Sequence, residues 1–304
     1  MIVLLGALAT SWAWSAPAFA GDGVLEINQT CAVQTGCFAG DAAGLPITID
    51  GSAGRSYRLT SDLVIPNQFT DGIVVSTDNV SIDLAGFEIR GPVVCSGTPL
   101  ACTPNSGGGS GVGVTSTALS GISVRNGSVR GLGFYGVHLG VQSEVTNVRA
   151  RSNRSSGIDV GTGSTVSGNT THQNFGGGIV AGSGSSVSNN AVYQNAGSGI
   201  FTLEGSIVSG NTANQNDSQG IVAGAGSTVS GNAAHQNGSA GILAFDGSTV
   251  SGNTVRSNTG VGLSLGPQSG YRENVISNNT EGTVTGIGLV NLGNNACNGS
   301  TTCP

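Results

Sequence analysis

From Gly136 onwards, apolar and polar positions recur in lines of 21 residues, led by Gly136, Gly157, Gly178, Gly199, Gly220, Gly241 and Gly262. The next residue is Val137, Ile158, Ile179, Ile200, Ile221, Ile242 or Leu263. Two further on stand Leu139, Val160, Ala181, Thr202, Ala223, Ala244 and Leu265. Apolar residues two apart describe a strand with one face inward, because side chains alternate across a strand. A second slot holds Val145, Val166, Val187, Val208, Val229 and Val250; a third holds Ala150, Thr171, Val192, Ala213, Ala234, Val255 and Ile276. Three short apolar segments per line, separated by Gly, Ser and Asn, predict a solenoid with three parallel strands per coil. About ten coils stacked at the ~4.8 Å spacing of paired strands would make a rod roughly 45–50 Å long.

The polar positions are as regular. Asn153, Asn174, Asn195, Asn216, Asn237, Asn258 and Asn279 share one column; Asn169, Asn190, Asn211, Asn232, Asn253 and Asn274 share another. Stacked amides can bond donor to acceptor along such a column. A serine column runs from Ser143 to Ser269. Several of these asparagines also fall in N-x-S/T strings that read as glycosylation acceptors, but a buried ladder accounts for them better.

Residues 1–20 are apolar and end in Ala18-Phe19-Ala20, the pattern of a secretory signal cut after Ala20 and too short to be a membrane anchor. Residues 21–55 are expected to cap the first coil, residues 56–290 to form the solenoid, and residues 291–304 to cap its far end. The Gly/Pro/Ser-rich stretch 91–110 reads as a loop. Six cysteines fall in local pairs, Cys31 with Cys37, Cys95 with Cys102, and Cys297 with Cys303. Even count, export signal and close spacing predict three disulfide loops rather than metal ligation.

Composition narrows the partners. The formal charge is −6, and all ten basic residues are arginine. An acidic chain is a poor ligand for nucleic acid. No metal, no cofactor and no membrane span after signal cleavage are expected.

The repeats over 157–258, with DNVSIDLAGFEIRG, SVRNGSVRG, GYRENV and NACNGS, resemble the right-handed parallel β-helix proteins. That group includes pectate lyases, polygalacturonases, alginate epimerases and many exported bacterial proteins without assigned activity. The resemblance implies an all-β, single-stranded right-handed parallel β-helix, and little about chemistry. In pectate lyases it would imply clustered carboxylates for calcium with a basic Arg or Lys; in polygalacturonases, paired aspartates with a His and an Arg-x-Lys string. This chain has no Lys, no Asp-Asp pair and no Gly-His-Gly, so neither set can be carried over.

Three constellations remain. An outward column one residue after the third slot reads Arg130, Arg151, His172, Tyr193, Asn214, His235, Arg256 and Ser277, with Arg90 extending it and Arg149 on the same face. Guanidinium forks and an aromatic ring in one row suit an extended acidic glycan or other cell-envelope component. A second outward column reads His138, Asp159, Val180, Phe201, Val222, Leu243, and its apolar members would form a stripe suited to self-association. Glu204 and Asp246 share a turn column and read as solvated carboxylates. These features predict a secreted, periplasmic or extracellular, non-catalytic scaffold that binds glycan along one face. The alternatives are a polysaccharide lyase, hydrolase or epimerase using His138, Asp159, Arg149 and Arg151, and a structural spacer or adhesin stalk.

Overall fold

The computed structural model describes residues 23–301 and 303. The expected signal segment, residues 1–20, lies outside the described residues. Each coil carries three strands, as in Ile158–Val160, Thr165–Ser167 and Thr170–His172. The first strands stack into a sheet of eleven. The middle and third strands merge into one sheet of 21, because Ser123–Arg130 and Glu144–Arg151 each run unbroken through both positions. Each strand pairs in parallel with its counterpart one coil on, as Val166 does with Val187 and Val192 with Ala213. The inward slots close over the core: Val145, Val166, Val187, Val208, Val229 and Val250 are all wholly buried.

The middle strands give twelve rungs, from Val24–Ile27 to Val290–Asn291, close to the ten or so coils expected. The rod is therefore about 53 Å long at the spacing of paired strands. The extra turns come from the two segments expected to be caps. Val24–Ile27 pairs with Ser56–Leu59, Ile47–Ile49 pairs with Ile73–Val75, and Ala296–Cys297 pairs with Val275–Ile276. These runs are too short to show a period in sequence. Between the first two lies a short helix, Gln29–Gln34, capped by Asn28, whose buried Ala32 belongs to the core.

Both asparagine columns form continuous ladders. Asn216 is typical. Its Oδ1 accepts from the backbone N–H and the Nδ2 of Asn195 at 3.2 and 3.0 Å. Its Nδ2 donates to the Val192 carbonyl at 3.3 Å and to Asn237 Oδ1 at 3.0 Å. Both donors and both acceptor positions of the amide are thus filled while the residue is 1 % exposed. The second ladder extends one rung beyond the sequence expectation, to Asn295. Such burial leaves no room for a glycan on Asn153, Asn169, Asn216 or Asn237. The ladder also explains the leading glycines: a Cβ at Gly220 would lie 2.6 Å from both Asn237 Nδ2 and the Gly241 carbonyl.

All three cysteine pairs are bonded as expected, and no described cysteine is free. The stretch read as a loop at 91–110 contains an antiparallel hairpin, Val94–Ser96 with Ala101–Thr103, in which Cys95 faces Cys102. No helix among the described residues is long and apolar enough to cross a membrane.

Candidate functional site

The third strands place Arg90, Arg130, Arg151, His172, Tyr193, Asn214, His235, Arg256 and Ser277 in direct register on successive rungs. Arg149 shares the strand of Arg151, two residues earlier, so it projects from the same face. The arginines are not equivalent. Glu88 Oε1 accepts from Arg130 Nε at 2.8 Å and lies 3.6 Å from Arg151 Nη2, so one carboxylate offsets two cations. Arg90, Arg149 and Arg256 have no ion-pair partner among the described residues. Glu88 was missed in sequence although it stands two residues before Arg90, on the same side of its strand.

In the middle of the row the His172 and Tyr193 rings stack at 4.8 Å, only 5° from parallel. Burial, and then the Arg151 charge, hold the His172 imidazole below the usual histidine range. Burial and Arg256 do the same to His235, whose Nδ1 has no hydrogen-bond partner. The row thus presents cations at its ends and neutral rings between them at neutral pH.

On the first-strand face His138 Nδ1 and Asp159 Oδ1 are 3.1 Å apart. Tyr135, in the preceding turn, stacks on His138 at 4.7 Å. Burial, and then the Asp159 charge, raise the Tyr135 hydroxyl above its usual range. Tyr135 escaped the sequence reading because it stands just before the first regular coil, at a position that holds Ser156, Gly177 and Ser198 in the coils that follow. Arg149 and Arg151 lie on the other sheet, so the four residues considered for catalysis do not form one cluster.

The apolar column is uneven. Phe201 is 36 % exposed, Val180 and Leu243 are half-buried, but Val222 is only 4 % exposed and contributes little surface. Leu203 and Phe245, which flank Gly224 in the following turn, are exposed and widen the patch instead. A shallow cavity of about 360 Å³ runs from Asp159 past Val180 to Phe201 and Leu203. Glu204 and Asp246 are exposed, as expected.

A larger cleft, about 920 Å³, lies at the corner that follows the Arg/His/Tyr row. The 94–103 hairpin forms one wall, and Gln173, Gln194, Gln215 and Gln236 line the other. No group of three His, Cys, Asp or Glu side chains that could hold a metal ion occurs among the described residues.

These features define a β-solenoid with a polar outward row and a corner cleft. The chain belongs to the family described as right handed beta helix region, whose model matches residues 110–280, more than half the sequence. Solved structures similar to it include two mannuronan C-5 epimerase A-modules of Azotobacter vinelandii. The AlgE4 module is 14 % identical, with 88 % of this chain and 84 % of that one covered, at a TM-score of 0.59. The AlgE6 module is 15 % identical, with 89 % and 91 % covered, at 0.56. Pectate lyase Pel9A is 18 % identical, with 81 % and 72 % covered, at 0.53. Identities this low establish the shared fold alone. No curated protein matches the sequence.

Proposed function

We propose that this is an exported, non-catalytic β-helix protein that binds polysaccharide along its third-strand face. The observation that carries the reading is the row from Arg90 to Arg256, in which a stacked His172–Tyr193 pair lies between arginines at rung spacing. A linear polymer meets such a row repeatedly, so modest contacts add along its length. Arg90, Arg149 and Arg256 supply guanidinium groups for acidic sugars, while the Tyr193 ring offers a face for the sugar itself. The disulfides agree with an oxidising compartment. The fold shared with mannuronan epimerase modules and a pectate lyase makes a polysaccharide the natural class to test first.

The experiment is a glycan array with the protein lacking residues 1–20, repeated with the Arg149→Ala/Arg256→Ala variant. Binding to acidic glycans that drops about tenfold in the variant supports the row; unchanged binding removes it. A second reading rests on the Asp159–His138–Tyr135 group, in which a carboxylate orients an imidazole beside a phenol. On that reading the protein is a polysaccharide lyase, hydrolase or epimerase, and turnover of a bound glycan would be abolished by Asp159→Asn. Neither binding nor turnover would leave a structural spacer.

A further inference from the structure

The corner cleft has a construction the row above does not explain. One wall is a ladder of four glutamines at the same position of successive coils, Gln173, Gln194, Gln215 and Gln236. All four hold left-handed backbone, with φ between 52 and 57°. That conformation disfavours a Cβ and suits glycine. The same conformation recurs on Ser152, Ser257 and Asn278 in this column and, in the turn between the middle and third strands, on Asn147, Asn189 and Glu273 as well as on Gly168, Gly210, Gly231 and Gly252. Four successive coils place a long amide side chain at this position in the wall. Gln194 and Gln215 spend little of their hydrogen-bonding capacity within the fold, whereas Gln173 and Gln236 also hydrogen-bond His172 and His235. The one hydrogen bond between them, Gln194 Nε2 to Gln215 Oε1, is 3.5 Å long, and Gln194, Gln215 and Gln236 are exposed. The exposed Gln194 and Gln215 amides are thus left open to a partner outside the fold.

The opposite wall is held in place. The hairpin is clamped by Cys95–Cys102, and Leu100 packs on Val93 and that disulfide. Arg154 Nη2 donates to the Asn105 carbonyl behind it, and the Val93 N–H donates to the Gly131 carbonyl. Thr98, Pro99 and Leu100 thus face the glutamine rail across the 920 Å³ cleft.

The chemistry of the lining selects the ligand. Asp217 alone among the described lining residues carries charge, and no arginine enters the cleft. An acidic polymer would meet a carboxylate there and no cation. A primary amide both donates and accepts, which matches hydroxyl groups that do the same. Identical amides at the ~4.8 Å rung spacing suit a ligand that is itself periodic and lies along the axis. We infer that this cleft is a binding site for an uncharged, hydroxyl-rich linear polysaccharide, seated between the glutamine rail and the hairpin. The inference rests on the polysaccharide-binding reading and adds to it a second, neutral subsite distinct from the arginine row.

Affinity electrophoresis tests it, with gels containing neutral polysaccharide (a β-glucan or a xylan) run beside gels containing alginate or pectate. The expected result is retardation by a neutral polymer that weakens about tenfold or more in Gln194→Gly/Gln215→Gly. The thermal midpoint of that variant should hold or rise, since glycine relieves the left-handed backbone, and this separates lost binding from lost folding. Releasing the wall with Cys95→Ser/Cys102→Ser should weaken the same retardation. Neutral binding that is indifferent to the glutamine change overturns the cleft assignment, as does retardation by acidic polymers alone, and in both cases polysaccharide binding itself stands. No retardation by any polymer overturns both readings together.

Discussion

The coils between Val24 and Arg130 and those between Gly157 and Asn258 share one outline but fill it differently. In the first region the interior is large and apolar, with Tyr57, Leu59, Leu63, Ile82, Leu84 and Ile89 wholly or almost wholly buried. Its buried polar side chains are Asp41 and Ser110. In the second, no buried leucine or aromatic residue occurs; Val, Ile and Ala fill the centre, and Asn, Ser and Thr line the corners. The change is visible at two positions. Leu132 and Val148 occupy the turn slots that asparagine takes from the next coil on, and their N–H groups donate to Asn153 and Asn169, the first members of the ladders. Large apolar side chains interdigitate and tolerate coils of unequal length. An amide ladder does not, because each Oδ1 must meet two donors from the coil before. The strict period belongs to the ladder region for that reason.

The sharpest way to break the comparison is to remove one member of each kind. Asn216→Ala deletes four buried hydrogen bonds and strands partners on both neighbouring coils. At about 1–3 kcal/mol for each buried group left unsatisfied, we expect a loss of roughly 4–5 kcal/mol, read from urea unfolding. Leu84→Ala, in the apolar region, should cost about 3 kcal/mol, since neighbouring side chains can relax into part of the space. If Asn216→Ala costs less than Leu84→Ala, the ladder is not what fixes the regular coils.

The ladder columns, the inward slots and the Arg/His/Tyr row could be read from residues alone, since each follows from one period, and the disulfide pairs from their close spacing. What could not be read lies off that period. Glu88 sits in a coil longer than the standard, in the column of Ser128 and Arg149, and meets Arg130 and Arg151 diagonally, across columns, where no single column reveals it. Tyr135 belongs to a turn. The hairpin that walls the cleft is joined to the glutamine rail by folding alone, Leu100 lying more than 70 residues before Gln173. The glutamines were in plain view as a repeated Gln-Asn pair, as in Gln173-Asn174 and Gln194-Asn195. Their meaning needed the hairpin that faces them across the cleft.

A smaller perturbation sharpens the same contrast from the other side. Thr171 fills an apolar slot of the ladder region, yet its Oγ1 is buried with no hydrogen-bond partner. Thr171→Val keeps the shape and removes that orphaned hydroxyl, so it should stabilise the protein by about 1 kcal/mol. A destabilised variant would mean that the hydroxyl has a partner and that the corner ladders are not the sole polar network inside these coils.

The smallest effect is a pH dependence confined to one region. His172 and His235, both in the ladder coils, are held below the ordinary histidine pKa of 6.5, first by burial and then by Arg151 and Arg256. The folded state therefore keeps both rings neutral while the unfolded chain, on acidification through about 6.5, takes up protons first. Stability contributed by the neutral rings is complete above that value and falls as pH drops towards the folded pKa values. The apolar region carries carboxylate–arginine pairs instead, Asp83 with Arg125 and Glu88 with Arg130. Both rings are half-exposed, so solvent screens the effect and it should be modest. In thermal unfolding followed from about pH 7.5 to about pH 5, the midpoint should decline, and His172→Gln/His235→Gln should flatten the decline. An equal decline in that variant would place the acid-sensitive groups outside the row and remove its neutral centre from the account of binding.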